Sequence, residues 1–285
     1  MTLRSTAITI FISAIFLAVL FARRPGAVGL GSAEDWSALP AVAAAPDAAS
    51  TPVLVELFTS EGCSSCPPAD ALLAQLGRTQ PVHGADIIAL EEHVDYWDRL
   101  GWKDPFSSEA ATDRQNEYAS AFADAQVYTP QMVVDGRTQF VGSSDSDALR
   151  AISAASRMPK PALELSWEKD DVLSIHVAPQ GSGDTAVQRS AQDSDQRVFL
   201  VVAENKLHSD VKHGENAGRA LEHDGVVRQL LPAGKIDNAA AGFSSTVPVH
   251  ADRDWNRANL RAVVFVQERH TRHIIAAAAI PFPNA

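Results

Sequence analysis

The chain has 285 residues, of which 46% are hydrophobic, and this is enough to build the cores of one or two ordinary domains. Acidic residues outnumber basic ones, 35 to 24, and the formal net charge is −11. Because binding to nucleic acid needs clustered lysine and arginine, and no such cluster stands out, nucleic acid is excluded as an expected partner.

The first predicted element is a targeting segment at residues 1–31. Arg4 precedes an apolar run over residues 7–22, which as a helix would span about 24 Å, less than a bilayer core of about 30 Å. This length favours a secretory signal, whereas two arginines directly after the run leave an uncleaved membrane anchor as the alternative. Residues 32–52, rich in alanine, proline and serine, are predicted to be a linker. In both cases we expect the rest of the chain to work in an oxidising compartment.

Residues 53–158 are predicted to form a thioredoxin-like α/β domain. Short apolar runs between turn residues indicate strands, and apolar residues spaced three and four apart indicate helices. The pattern gives, in chain order, a strand at 53–58, a helix at 69–76, a strand at 87–93, a helix at 107–123, strands at 131–134 and 138–141, and a helix at 144–156. Asp135 and Gly136 form a hairpin turn signal between the last two strands. The order βαβαββα is the minimal thioredoxin pattern.

Residues 159–285 are predicted to form a second, all-β domain. Pro159 and Pro161 mark the boundary, and apolar and polar residues then alternate in seven segments. The predicted strands are at residues 163–167, 172–177, 198–202, 226–230, 243–249, 262–266 and 274–280. Alternation of this kind is typical of strands with one buried face, so we expect an antiparallel sandwich of about seven strands.

The two cysteines of the chain are separated by two serines, directly after the first predicted strand and at the start of a predicted helix. This is the arrangement of a redox-active C-x-x-C motif. Cys63 is expected to be exposed and to attack a substrate disulfide, and Cys66 to resolve the mixed disulfide. The alternative is a structural disulfide, but so short a loop would stabilise the fold by only about 2 kcal/mol.

Thr129 and Pro130 precede the third predicted strand, where a cis proline beside the nucleophilic cysteine would let Thr129 pair with an extended substrate. The alternative is an ordinary trans proline entering a strand.

Glu56 lies within the first strand. If it points inward behind the disulfide, burial would raise its pKa and it could take a proton from Cys66. If it lies on the solvent face, it has no such role.

The loop after the second strand carries further candidates, because open α/β sheets place their sites at the carboxyl ends of parallel strands. His93 and Asp95 could approach the cysteines. Trp97 and Trp102 could form a substrate-facing rim, or merely a small aromatic cluster that holds the loop.

Metal binding has weaker support in the sequence. Cys63, Cys66 and His93 could together bind soft copper, whereas three histidines of the second domain are irregularly spaced: His208, His213 and His223. We therefore predict no metal site and no cofactor. A copper-binding or metallochaperone module and a non-catalytic interaction domain remain alternatives to the main hypothesis, an exported thiol–disulfide oxidoreductase. Its expected partners are protein or small-molecule thiols and disulfides, with a redox partner still to be identified.

Several segments resemble one known family, the secreted thioredoxin-like bacterial proteins catalogued as domain of unknown function 1223. They are residues 55–70 (VELFTSEGCSSCPPAD), 93–106 (HVDYWDRLGWKDPF), 128–143 (YTPQMVVDGRTQFVGS), 213–219 (HGENAGR), 223–228 (HDGVVR) and 264–267 (VFVQ). The resemblance implies the fold and a periplasmic or secreted location, with inner-membrane anchoring if the signal is uncleaved, but no substrate. Residues 90–93 (LEEH) are more acidic than is usual in the family. Glu215, Asn216 and Arg219 are expected to fix a loop or an interface between the domains.

Overall fold

The computed structural model of the protein describes residues 50–122, 126–180 and 195–283. Its helices are α1 (Pro67–Thr79), α2 (Glu109–Ala121) and α3 (Asp145–Ala155). Its strands are β1 (Thr51–Thr59), β2 (Ala85–His93), β3 (Gln131–Val134), β4 (Thr138–Val141), β5 (Leu163–Trp167), β6 (Val172–Val177), β7 (Gln196–Glu204), β8 (Leu207–Asp210), β9 (Ala220–His223), β10 (Val226–Ile236), β11 (Phe243–Pro248), β12 (Leu260–Glu268) and β13 (Ile274–Pro281). The predicted targeting segment and almost all of the linker lie outside these ranges. No helix in the described ranges is long and apolar enough to cross a membrane.

Strand β1 lies at the centre of the part of the fold that carries the cysteines. It pairs in parallel with β2 on one side and antiparallel with β3 on the other. Alternate β1 residues such as Val55 and Leu57 pack with α1 and α3 in one buried cluster. Leu54, on the opposite face, packs with β2 and with residues of β7, β12 and β13. A strand buried on both faces reads as a continuous apolar run, which explains why β1 and β2 were recognisable in the sequence.

The predicted division into a thioredoxin-like domain and a separate all-β sandwich is wrong. Strand β10 pairs in parallel with β2 through Val226 and Glu91, and the Glu91 amide donates a hydrogen bond to the carbonyl of Gly225 (2.8 Å). One mixed sheet of eight strands results, in the order β13-β12-β7-β10-β2-β1-β3-β4. An unpaired edge of β2 would leave backbone donors and acceptors open, and β10 satisfies them at one end of that strand.

The seven segments predicted as strands after residue 159 all fall on observed strands, but they do not belong to one separate unit. Four of them, β7, β10, β12 and β13, are part of the eight-stranded sheet, and the others form a three-stranded sheet in the order β11-β6-β5. Apolar residues of both sheets pack together between them. Strands β8 and β9 form a hairpin that the sequence analysis did not predict. Alternation therefore located strands correctly without indicating which strands pair.

Candidate disulfide site and the buried histidine cluster

The two cysteines lie where the end of β1 turns into α1. Cys63 and Cys66 are joined by a disulfide bond, with their Cα atoms 5.4 Å apart. Cys66 is the residue that caps the helix, and its carbonyl accepts hydrogen bonds from the amides of Ala69 (2.8 Å) and Asp70 (3.1 Å). The first two helical positions are prolines, which lose nothing there because those amides have no partner within a helix. The disulfide is thus held at the positive end of the α1 dipole.

The disulfide is covered, and the prediction of an exposed Cys63 is wrong. Cys63 is 1% exposed and Cys66 is 0% exposed, whereas Ser64 and Ser65 between them are open to solvent. The Cys63 Sγ lies 3.4 Å from the Ser65 hydroxyl, so this sulfur is the one beside the exposed turn. A thiol partner must therefore displace the groups that cover the two sulfur atoms before it can reach the bond.

The two-cysteine turn is bonded to the segment between β8 and β9, residues 211–219, which we call the cap loop. The side-chain amide of Asn216 is buried and donates to the carbonyls of Glu61 (2.8 Å) and Cys63 (2.9 Å). The Glu215 carboxylate accepts a hydrogen bond from the amide of Ser64 (3.0 Å). The sequence motif at 213–219, expected to fix a loop or an interface, therefore fastens the cap loop directly onto the two-cysteine turn.

Trp97 lies beside this turn and is bonded to Thr129. The Thr129–Pro130 peptide bond is cis, in agreement with the sequence analysis. The indole Nε1 of Trp97 donates to the Thr129 hydroxyl (2.8 Å), and a Cβ added to Gly62 would lie 3.2 Å from the Trp97 Cβ. Trp97 therefore connects the segment before the buried Pro130 to the residue preceding Cys63.

Trp102 also contacts the turn, whereas Asp95 contacts a helix. The Trp102 indole donates to the Glu61 carboxylate (2.7 Å), next to the cap loop. The Asp95 carboxylate accepts a hydrogen bond from Thr112 of α2 (2.6 Å). Of the four residues proposed for the loop after β2, the two tryptophans are thus the ones in contact with the segment before Cys63.

Glu56 is buried, but its carboxylate faces away from α1. Its neighbour Leu57 packs against α1, and alternation along the strand places Glu56 on the other face. There it bonds to the Arg114 guanidinium and accepts a hydrogen bond from the Tyr118 hydroxyl (2.5 Å). Glu92 lies in the same group, and burial raises the pKa of Glu92 to about 8 although Arg114 opposes this shift.

Asp70 is a buried carboxyl group on the α1 side of the sheet that was not among the predicted site residues. It lies in the first turn of α1, four residues after Cys66, and accepts a hydrogen bond from the Thr59 hydroxyl (2.6 Å). Burial, reinforced by Glu91, raises the pKa of Asp70 to about 7. The spacing of four residues, which places two side chains on one face of a helix, was the signal available in the sequence.

A cluster of buried histidines and carboxylates lies at the ends of β2 and β9. The His93 Nδ1 is 2.7 Å from an oxygen of Asp104, which also accepts a hydrogen bond from the Glu61 amide (2.8 Å). The His223 Nδ1 is 2.7 Å from Glu91, and its Nε2 is 3.3 Å from Glu61. The cluster therefore reaches the chain segment that leads to Cys63.

The charges of this cluster compensate one another. Burial opposes protonation of His93, yet Asp104 and Glu91 raise its pKa well above the ordinary value. For His223 too, burial opposes protonation, but Glu91 raises the pKa to about 10. Despite burial, His223 holds the pKa of Glu91 at about 2. Imidazolium and carboxylate groups thus neutralise one another in the interior.

Two sequence hypotheses about histidines fare differently in this structure. The copper trio has no support from the contacts, because the Cys63 and Cys66 sulfurs bond to each other and the His93 Nδ1 pairs with Asp104. His223, discarded for its irregular spacing, lies against His93, with ring centroids 4.8 Å apart. The sequence could have indicated that Glu91 and His93 lie on the same face of one strand, because residues two apart share a face.

Comparisons with known proteins identify the family and the fold. The family model described as "Protein of unknown function (DUF1223)" matches residues 54–267. Protein AGR_C_4864 from Agrobacterium tumefaciens is similar in structure, with a TM-score of 0.62 and 24% identity over 83% of this chain and 96% of that one. HBP35 of Porphyromonas gingivalis has a TM-score of 0.55 and 12% identity over 84% of this chain and 78% of its own. No curated protein matches the sequence. At these identities the likenesses show the fold alone.

Proposed function

The chain belongs to the DUF1223 family of proteins of unknown function, and from its site we propose that it is a thiol–disulfide oxidoreductase that uses Cys63 and Cys66. The observation that carries the proposal is the disulfide at the N-terminus of α1. A helix N-terminus stabilises a thiolate, which is the species that attacks and leaves in disulfide exchange. Cys63 and Cys66 are only three residues apart, so the bond adds little as a structural cross-link.

The proposed exchange has two steps. A substrate thiolate attacks the Cys63 Sγ, the bond to Cys66 breaks, and Cys66 leaves with the electron pair and takes up a proton. A second substrate thiolate then attacks the substrate sulfur of the mixed disulfide and releases Cys63 as a thiolate. The substrate dithiol becomes a disulfide and the protein becomes a dithiol. Both steps are reversible, so the direction depends on the reduction potentials of the partners.

Cys63 is assigned as the sulfur that forms the mixed disulfide because it lies beside the exposed Ser65, whereas Cys66 begins the helix. Asp70 is assigned as the group that exchanges a proton with Cys66. A carboxyl group with a pKa of about 7 can both give and accept a proton near neutrality. Glu56 is not assigned this role here, because its bonds to Arg114 and Tyr118 hold it on the opposite face of β1.

The proposal includes export to a bacterial periplasm or to the outside of the cell. Its support is the predicted targeting segment at residues 1–31 and the need for an oxidising compartment if the disulfide form is to persist. The substrates are then protein or small-molecule thiols and disulfides of that compartment, and a separate redox partner restores the starting state.

Trapping of mixed disulfides in cells tests the proposal. In Cys66→Ser the resolving thiol is absent, so adducts through Cys63 should accumulate and run as reducible bands on a non-reducing gel. Cys63→Ser should give almost none, and the double serine variant is the control for bands unrelated to either sulfur. Equal trapping by the two single variants, or trapping only in Cys63→Ser, would overturn the assignment of Cys63. Absence of adducts from both would overturn the redox function itself.

A further inference from the structure

Three side chains from two strands converge inside the protein. Glu91 and His93 extend from the same face of β2, and His223 ends β9. Their ligand atoms all lie within 4.8 Å of one another. The Glu91 Oε1 is 2.7 Å from the His223 Nδ1 and 3.4 Å from the His93 Nε2. We propose that Glu91, His93 and His223 bind one divalent transition-metal ion of the zinc type.

The state of His93 gives an independent reason. Its side chain is fully buried, its Nδ1 pairs with Asp104, and among the described residues its Nε2 has no hydrogen-bond partner. A buried polar atom without a partner costs about 1–3 kcal/mol, so its retention in the interior calls for an explanation. This nitrogen lies 3.4 Å from the Glu91 carboxylate, and a metal ion bound between the three residues would displace the proton that it carries and use its lone pair.

The second ring nitrogen of each histidine faces a carboxylate, as is usual for histidines that bind metal. A ligating imidazole almost always gives its other nitrogen to a carboxylate or a carbonyl, which fixes the ring orientation and the tautomer. Asp104 occupies this position for His93 (2.7 Å), and Glu61 occupies it for His223 (3.3 Å). Both histidines are therefore oriented with one nitrogen supported and the other directed at Glu91.

The donor set selects the class of ion. Two imidazole nitrogens and one carboxylate oxygen suit Zn²⁺ and related first-row divalent ions, whereas Cu(I) prefers sulfur. The cysteine sulfurs are bonded to each other and are not needed. Three protein ligands leave a fourth position of a tetrahedral ion free for water or a substrate, as in catalytic zinc sites.

One member of the cluster, His223, borders a cavity. A cavity of about 630 Å³ lies between α1 and the turn after β9, and His223, Glu222 and Asp224 line one side of it. Arg78 of α1 forms an ion pair with Asp224 across this region (2.6 Å). We expect ions to reach His223 through this cavity. The proposed metal site does not depend on the redox function proposed above.

Titration of the whole, unaltered protein with Zn²⁺ alone, after removal of bound metal with a chelator, is the first test. Calorimetry should show one ion per chain with the disulfide intact. Co²⁺ in place of Zn²⁺ should give the visible absorption of a four- or five-coordinate ion. X-ray absorption at the zinc edge of the loaded protein should show nitrogen and oxygen neighbours and no sulfur. Absence of one-to-one binding, or a sulfur neighbour, would overturn the proposal without any variant being made.

Variants then identify the ligands. His93→Ala and His223→Ala should each weaken Zn²⁺ binding on the order of 100-fold or more, with folding checked by circular dichroism. His208→Ala is the matched control, because His208 is half exposed and also pairs with carboxylates. The double variant Cys63→Ser/Cys66→Ser should bind Zn²⁺ as the unaltered protein does. Unchanged binding in both folded histidine variants, or loss of binding in the double cysteine variant, would contradict the proposed ligand set.

Discussion

Two buried carboxyl groups near the disulfide differ in what surrounds them, and this decides what each can do. Within the described residues the Asp70 carboxyl group accepts one side-chain hydrogen bond, from Thr59, and Asp70 lies on the helix that Cys66 caps. Glu56 is bonded to a guanidinium and a phenol on the other face of the strand. A carboxyl group held in an ion pair contributes mainly to stability, whereas one with a raised pKa can exchange protons near neutral pH.

Asp70→Asn should slow the step in which Cys66 resolves a mixed disulfide with glutathione, on the order of 100-fold, because the proton acceptor is lost. Burial and Glu91 raise the pKa of Asp70 to about 7, against the opposing effects of His223, Thr59 and His93. The measurement is made with a chelator present. The carboxylate is the active form, so the wild-type rate should rise as the pH increases through about 7, and the variant should lose this rise. Stopped-flow measurements from pH 5 to 9 check this, with roughly half-unit steps.

The control for this experiment is Asp145→Asn, which changes an exposed aspartate in the first turn of α3. Its rate and its pH profile should match those of the wild type. A profile that keeps its inflection in Asp70→Asn would remove Asp70 from the proposed mechanism.

Glu56→Ala should lower the free energy of unfolding by about 3 kcal/mol, because Arg114 would remain buried without its main partner. The rate of disulfide exchange of the folded variant should be unchanged. Urea denaturation and the rate of reduction by dithiothreitol measure the two quantities, with the exposed Glu222→Ala as the control. Slower exchange in folded Glu56→Ala would support the proton-relay role considered in the sequence analysis.

Among the elements of the fold, the cap loop is bonded directly to the turn that holds the disulfide. Its hydrogen bonds with the turn come from two side chains: Asn216 donates to two carbonyls and Glu215 accepts from one amide. Polar contacts of this kind can be exchanged for water when the loop moves, at a smaller cost than that of opening an apolar core. A loop held in this way can cover the bond at rest and still allow a partner to displace it.

Asn216→Ala should therefore speed reduction of the Cys63–Cys66 bond by dithiothreitol. Removing two hydrogen bonds that hold the covered state should lower the cost of opening by about 1.4 kcal/mol, which is a factor of about ten in rate. Lys212→Ala is a matched change, since Lys212 lies in the same loop with an exposed side chain (65%). If both variants are reduced at the wild-type rate, opening of the cap loop does not limit access.

For the whole molecule, the decisive feature is the junction between β2 and β10, which joins the two parts of the chain into one sheet. Gly225 occupies this junction with a φ of +79°, and a Cβ added there would lie 2.7 Å from the Ala89 carbonyl oxygen. The same junction brings β9, and with it His223, against Glu91. The cluster therefore depends on a contact between segments more than 100 residues apart in sequence.

Gly225→Ala should lower the free energy of unfolding more than Gly84→Ala does. Both glycines have a φ of +79°, but an added Cβ at Gly84 meets nothing within 4 Å. The left-handed backbone costs each variant about 1 kcal/mol. The clash at Ala89 should add at least about 1 kcal/mol for Gly225→Ala alone. Urea denaturation monitored by tryptophan fluorescence measures the difference, and equal values for the two variants would show that the junction tolerates the extra atom.

The amino-acid sequence by itself determined most of the helices and strands, the two-cysteine motif and the position of the cis Thr129–Pro130 bond before β3. These features depend on residues that are neighbours along the chain. Tertiary structure decided the rest. The pairing of β10 with β2, the hydrogen bond from Asn216 to the Cys63 carbonyl and the contact of His93 with His223 each join distant segments. Alternation shows which face of a strand is buried, but backbone hydrogen bonds between strands are the same for every sequence. Periodicity therefore cannot identify the neighbouring strand, nor the side chains that it brings to a site.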